Sequence, residues 1–290
     1  MERIDFRDQI LRNKRNSFFL MVFVAVIIVL FGYVISFAFD PSYTFFILTV
    51  AILFSLLYPW INYYNSAKIA VAAVGAKVAD RIEFCDYYRL VESLTIASGL
   101  PMPELYVMKS SSINAFASGR DPKHAVVCVT TGALEKLERR ELEGVLAHEL
   151  GHVANYDIRF ITFVSVMVGM VAIISQIFLR SLWFRSGNDN KNSGIFILIG
   201  ILFAILAPIA VSLVQLAISR KREYSADATA VKFTRNPNGL IGALEKIRNE
   251  NLPEKKVSKA LAPMFFSNPF KDLGSTHPPI EKRIETLKSM

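Results

Sequence analysis

Long apolar runs alternate with mixed, polar segments along this chain of 290 residues. Two runs lie near the N-terminus, at 17–39 and 43–61, and two more lie at 160–179 and 195–218. Each approaches or exceeds the roughly 20 apolar residues that a helix needs to cross a bilayer. None contains an acidic, basic or histidine side chain. We therefore predict about four transmembrane helices.

The segments between and after these runs have the pattern of a folded, water-exposed protein. An alanine-rich stretch at 67–98 predicts a helix, and three short apolar pieces predict strands at 104–108, 113–117 and 124–129. Residues 131–155 predict a further helical region, rich in charge pairs spaced by four. Amphipathic helices are predicted near 239–249 and 280–288.

Composition and charge support the membrane interpretation. Hydrophobic residues make up 52% of the chain, and the mean hydropathy is +0.36. The formal net charge of +8 could indicate a nucleic-acid partner, but the basic residues crowd beside the apolar runs, at 12–15 and 220–222. Such clusters set topology and contact anionic lipid, so we expect no nucleic-acid binding. The two cysteines lie in no CxxC pair and predict neither a disulfide framework nor a cysteine zinc site.

The clearest chemical signal is the sequence AHELGH at 147–152, inside a predicted helix. His148 and His152 lie one turn apart and project from the same face, so both imidazoles can bind one zinc ion. Glu149 lies beside them, where it can take a proton from water. A chance match is the alternative, but the chain has only four histidines and two of them have this spacing around a glutamate.

A catalytic zinc site needs a third protein ligand and an open position for water. The best candidate is Glu223 in the sequence EYSAD at 223–227. On a helix Asp227 shares its face, so the aspartate could accept the ring N–H of a ligand histidine. The alternative is a solvated acidic pair beside neighbouring arginines.

Topology supplies an independent argument for this assignment. His152 precedes the third apolar run and Glu223 follows the fourth, so a hairpin of two spans returns both to the same side. The first run is too long for a signal-peptide core and is read as a retained span. The predicted organisation places both termini and the site in the cytoplasm: a segment at 1–16, two transmembrane helices at 17–61, a catalytic region at 66–159, a transmembrane hairpin at 160–218 and a second catalytic region at 219–290.

In these motifs the chain resembles the HtpX group of membrane metallopeptidases, relatives of the type I CAAX prenyl proteases within the gluzincins. The resemblance covers nearly the whole chain. It rests on HELGH at 148–152, EYSAD at 223–227, NAFASG at 114–119, NYD at 155–157 and STHP at 275–278. Ser118 stands where a threonine is common. The implied fold class is mainly α: membrane α-helical, with a small α+β zincin-like catalytic domain.

The resemblance also implies a function and a location. A member of this group would be a multi-pass protein of a bacterial or archaeal plasma membrane, with one Zn²⁺ per chain. It would hydrolyse misfolded or damaged membrane proteins in quality control and stress response. Asn114 and Ala115 would belong to an edge strand that aligns an extended peptide substrate. The alternative for Asn114 is a turn residue.

The mechanism expected from these residues is peptide hydrolysis with Glu149 as general base. His277 is the candidate donor to the oxyanion of the intermediate, with a simple loop residue as the alternative. Two other classes compete: a catalytically silent scaffold with a structural metal, and a transporter. A structural site would be closed by four protein ligands, and a transporter would carry ionisable residues within its spans. Processing of lipidated CAAX peptides remains open within the enzyme class, and the sequence leaves the oligomeric state open.

Overall fold

A computed structural model describes residues 41–162, 164, 220–250, 264–267 and 278–290, together with scattered helical positions between 11 and 36. Apart from its first residues, the third apolar run lies outside these ranges. The fourth run and His277 also lie outside them.

The long N-terminal helix α1 spans Thr44–Ala73 and follows a 3-10 turn at Pro41–Tyr43. It bends by 50° between Thr44–Tyr58 and Trp60–Ala73. Among the described residues no single helix is long and apolar enough to cross a membrane, whereas the two halves of α1 taken together meet that requirement by length and composition. A side chain at Gly32 would collide with Ala51, so the helix that precedes α1 packs closely against it.

A four-stranded sheet in the order β1-β2-β4-β3 forms the centre of the water-exposed part. The strands span Lys77–Val78, Glu104–Met108, Ala115–Gly119 and Ala125–Thr130 for β1 to β4. β2 runs parallel to β4, while β1 and β3 are antiparallel to their neighbours. Every residue of β3 and β4 is buried, because helices cover both faces.

The prediction of one helix at 67–98 is wrong, because a strand and a turn divide this stretch into two helices. α1 ends at Ala73, and helix α2 spans Cys85–Ser98. Gly75 takes a left-handed φ of +66°, which favours glycine, and the chain then forms β1. The Asp80 carboxylate accepts the backbone N–H groups of Ile82 and Glu83 at 2.8 and 2.9 Å and forms the turn that leads into α2.

The predicted helical region at 131–155 consists of two helices, α3 at Thr131–Lys136 and α4 at Arg139–Ala154. A capping box formed by Glu138 and Glu141 begins α4. The remaining described helices are α5 at Arg220–Thr234, α6 at Pro237–Glu250 and α7 at Ile280–Lys288. The last two agree with the predicted amphipathic helices.

Helix α4 occupies the core, with α5 and α6 on one side and β3 and α2 on the other. A Cβ at Gly144 would lie 2.5 Å from the backbone nitrogen of Leu240, so glycine permits the close crossing of α4 and α6. A Cβ at Gly151 would lie 3.1 Å from the carbonyl oxygen of Ala226. The crossing of α4 with α5 is therefore also close, and it falls beside the histidines.

Candidate metal centre

Helix α4 places its two histidines on one buried face. His148 is fully buried and His152 is 8% exposed. Their Nε2 atoms lie 3.1 Å apart. The apolar residues Leu146 and Leu150 anchor the helix in the core, so the imidazoles are free to converge on one point.

Helix α5 brings Glu223 to the same point. Its Oε1 lies 3.5 Å from Nε2 of His152, and its Oε2 lies 3.7 Å from Nε2 of His148. One ligand atom from each of the three residues lies within 4.8 Å of the other two. A tetrahedral zinc ion with Zn–N distances near 2.0–2.1 Å holds two nitrogens about 3.3 Å apart. The geometry therefore fits the predicted zinc site.

The other ring nitrogen of His148 is held by Asp227, one turn after Glu223 on α5. Nδ1 lies 2.8 Å from Oδ1 of Asp227. The same carboxylate accepts two hydrogen bonds from the buried guanidinium of Arg283 on α7, at 2.7 and 2.9 Å. Because an ionised carboxylate only accepts, Nδ1 carries the proton and Nε2 presents its lone pair.

The other ring nitrogen of His152 faces Asp157, just beyond the end of α4. Nδ1 lies 3.2 Å from Oδ2 of Asp157. Tyr156 adopts a left-handed φ of 57°, which turns the chain so that Asp157 lies under the ring. Arg222 lies 3.5 Å from Oδ1 of Asp157. Each Nδ1 is thus held by a carboxylate and the two Nε2 atoms face each other, an arrangement that a cation between them would stabilise.

Electrostatics differ between the two histidines. Burial lowers the pKa of His148 to about 4, despite the opposing effect of Asp227. Burial also disfavours the charged form of His152, but the carboxylates of Asp157 and Glu223 outweigh it and raise its pKa well above the usual range. The negative charge that attracts a proton to His152 also attracts a metal cation.

Glu149 lies beside the histidines and is 1% exposed. Burial raises its pKa to about 7, and the charge of His152 and the backbone N–H of Ala117 partly offset this rise. Its Oε1 is buried, with no hydrogen-bond partner among the described residues. A carboxylate with a pKa near neutral pH can accept a proton and later release it, as a general base must do.

A small cavity opens beside these groups. His152, Glu149 and Glu223 form its polar wall, and the remaining lining residues are Ala117, Ile158, Ile161, Met264, Phe265 and Phe266. The cavity therefore joins the candidate metal ligands to an apolar surface.

Asn114 precedes β3 and Ala115 begins it, and a segment at 264–267 pairs with them. The N–H of Phe266 donates to the carbonyl of Ala115 at 2.8 Å, and Phe116 forms an antiparallel bridge with Phe265. The Asn114 side chain exchanges two hydrogen bonds with the backbone of Ser267, at 2.9 and 3.1 Å. The predicted substrate-aligning residues thus already have backbone partners within the chain.

Sequence reasoning gave no role to three residues of this site: Asp157, Phe266 and Arg283. Asp157 lies in the NYD sequence, whose turn brings it under His152. Arg283 shares its helix face with Ile280 and Leu287, three and four residues away, and this spacing is a signal that it points toward the core. The Phe266 ring packs edge-on against His148 at 4.9 Å between centroids, a contact with no local sequence signal.

Comparisons with known proteins show which family and fold the chain shares. Residues 83–290 match the model of Peptidase family M48. A "Protease HtpX homolog" of Caldanaerobacter subterraneus is 44% identical over 287 residues, covering 96% of this chain and 95% of the relative. One of Tropheryma whipplei is 43% identical over 286 residues and covers 97% of both. The crystal structure of S. mikatae Ste24p superposes with a TM-score of 0.53 at 20% identity. The match covers 97% of this chain and 66% of that one, and it shows a shared fold.

Proposed function

The chain belongs to Peptidase family M48 and is a zinc metallopeptidase, and we propose that it hydrolyses misfolded or damaged membrane proteins at a site facing the cytoplasm. The observation that carries this proposal is the convergence of His148, His152 and Glu223 beside the buried carboxyl of Glu149. Four protein ligands would close a structural zinc site. Here three candidate ligands converge among the described residues, and the cavity beside them leaves room for water.

We assign the metal ligands as His148, His152 and Glu223, with Asp227 orienting the first. Bound zinc supplies Lewis-acid polarisation of the scissile carbonyl and lowers the pKa of water. Glu149 takes the proton of the attacking water and delivers it to the leaving amine. The predicted oxyanion donor His277 stays a prediction, since it lies outside the described residues.

The exposed surface of α1 supports a membrane location. Its outward side chains include Phe45, Leu56 and Trp60, which are 83%, 64% and 60% exposed. A continuous apolar surface of this kind indicates contact with lipid or protein. The length of α1 and its close packing at Gly32 fit the predicted hairpin of residues 17–61.

The proximity of His152 and Glu223 supports the second hairpin. Residues 160–218 separate them in sequence, yet their side chains lie 3.5 Å apart. If that segment crosses the bilayer, it does so an even number of times. The basic clusters at 12–15 and 220–222 favour the cytoplasm for this side.

The contact between α1 and the sheet supports a membrane-protein substrate. Arg120, next to β3, donates to the carbonyl of Tyr64 on α1 at 3.1 Å, and its guanidinium lies 4.8 Å from the centre of the Tyr64 ring. Strand β3 therefore lies at the end of the lipid-facing helix. A polypeptide leaving the bilayer would arrive close to β3 and to the segment at 264–267 that pairs with it.

A reconstituted cleavage assay tests the function. The zinc-loaded protein in liposomes should cleave a destabilised membrane protein and an unfolded soluble polypeptide, and a chelator should stop both reactions until zinc is restored. Cleavage confined to an isoprenylated CAAX peptide would instead identify a processing enzyme. Absence of chelator-sensitive cleavage of any of these would contradict the proposal.

Cysteine labelling tests the orientation. Ile82 is 90% exposed in the turn before α2, so Ile82→Cys, in a background lacking Cys85 and Cys128, offers an accessible thiol. We expect an impermeant reagent to label it only after the cells are lysed. Labelling in intact cells would place the site outside.

A further inference from the structure

Arg283 is a buried cation that the hydrolytic mechanism does not use. It lies on α7 and is 1% exposed. Its Nε and Nη2 donate to the two oxygens of Asp227 at 2.9 and 2.7 Å. Its Nη1 lies 3.6 Å from Oε2 of Glu223, and its guanidinium stacks 4.9 Å from the centre of the Phe266 ring. Every one of these neighbours touches the metal centre or a ligand.

The contacts converge on the metal position both through Asp227 and directly, since Nη2 of Arg283 also lies 3.3 Å from Nδ1 of His148. Oδ1 of Asp227 receives both Nη2 of Arg283 and Nδ1 of His148, at 2.7 and 2.8 Å. The forked guanidinium fixes the plane of the carboxylate and keeps it ionised. An ionised, fixed carboxylate can only accept from Nδ1, which leaves Nε2 of His148 as the nitrogen with the lone pair.

We infer that Arg283 is a positioning residue of the zinc centre: through Asp227 it fixes the tautomer and orientation of His148. This inference rests on the proposed ligand set. The competing explanation makes Arg283 only an anchor that holds α7 in the core. An anchor would affect the stability of the protein but not, at equal stability, its affinity for zinc.

The position of Arg283 also couples the metal to α7. Since Arg283 on α7 supports His148, zinc binding must in turn stabilise the docking of α7, because coupling between two binding events is reciprocal. The side chains of Ile284 and Leu287 on the same helix are buried in the core. Their amides report on this docking.

The test compares zinc affinities of the metal-stripped full-length protein, measured by competition with a chromophoric chelator. Arg283→Met keeps the length of the side chain and removes the charge. We expect its zinc affinity to fall about 10- to 100-fold, as for other groups that support a metal ligand. Lys282→Met, an exposed change on the same helix, is the matched control and should bind like wild type.

Three further variants cover the case in which Arg283→Met fails to fold because it strands a buried carboxylate. Arg283→Lys keeps the charge without the fork and should bind zinc more weakly than wild type. Arg283→Met should cost less zinc affinity in an Asp227→Asn background than in the wild type, since most of the effect of Arg283 runs through Asp227. An equal cost in both backgrounds, or wild-type affinity in Arg283→Lys or in folded Arg283→Met, would overturn the inference.

Hydrogen exchange supplies a readout that an anchor alone would not change. In the wild type, zinc should slow exchange in α7 more than in α2, and Asp227→Asn should abolish that difference. Equal slowing in both helices of the wild type would overturn the coupling. If the wild type binds no zinc, the proposed function fails as well; if it binds zinc and the variants match it, only the role of Arg283 fails.

Discussion

The two histidines of the metal centre have the same kind of support but very different surroundings. The His148 arm, with Asp227 and Arg283, is almost completely buried, and each link is 2.9 Å or shorter. The His152 arm, with Asp157 and Arg222, has links of 3.2 and 3.5 Å. His152 lines the cavity, whereas His148 does not.

This difference separates two tasks within one site. We expect the buried arm to fix the position of the metal, while the arm with the longer contacts faces the cavity. Glu149 and Glu223 serve both arms, because each lies beside the histidines and also lines the cavity. Substitutions of these shared residues should therefore have the largest effects on cleavage and zinc affinity. Substitutions within a single arm should have smaller effects, and these should differ between the two arms.

The largest effect is expected at Glu149. In Glu149→Gln the amide cannot accept the proton of water, so cleavage should fall by about 10²- to 10⁴-fold while zinc content stays at one ion per chain. Turnover and metal analysis of the same sample check both expectations. Glu143→Gln, earlier on α4, is the control. Cleavage at the wild-type rate would remove Glu149 from the mechanism.

The next effect is the loss of the ligand common to both arms. Glu223→Ala should weaken zinc binding by more than the roughly 10- to 100-fold cost of losing a supporting group. Chelator competition on purified protein measures this loss. Glu245→Ala and Glu281→Ala should retain zinc. Full occupancy in Glu223→Ala would require a different third ligand.

The comparison of the arms predicts unequal effects of their aspartates. Asp227→Asn should reduce zinc affinity more than Asp157→Asn, because the shorter and more buried contact orients its histidine more strongly. Both substitutions preserve the size of the side chain, and both affinities come from the same titration. A larger loss in Asp157→Asn would reverse the assignment of the anchoring arm.

The smallest effect concerns pH. His148, with a pKa near 4, is already neutral between about pH 5 and 7, whereas His152 has a raised pKa and must lose its proton to bind zinc. Affinity should therefore fall by about tenfold per unit as pH falls through this range, one proton per metal. Asp157→Asn should flatten the dependence. A slope of two protons would mean that a second group, His148 or Glu149, also titrates.

Helical spacing made much of the site predictable. His148, Glu149 and His152 are close because they lie on one helix, and Glu223 and Asp227 are close for the same reason. The β2 bounds and the C-terminal helices also follow from local pattern. These features depend on residues within one or two turns, and a sequence records such neighbours directly.

The rest of the site depends on contacts between distant segments. Helical spacing puts Arg283 on the same face as Ile280 and Leu287, but only the docked helix shows that its partner is Asp227, 56 residues away. The pairing of residues 264–267 with β3 likewise joins segments about 150 residues apart. The break at Gly75 was missed because the alanine-rich sequence around it suits a helix, and pairing of β1 with β2 decides otherwise.

The close crossing of α4 and α5 at Gly151 has a consequence for the biosynthesis of this protein. A ribosome that has just completed α4 has made both histidines and the base, but neither Glu223 nor Arg283. The complete set of three proposed ligands therefore comes together only after α5 has been synthesised and has packed against the glycine.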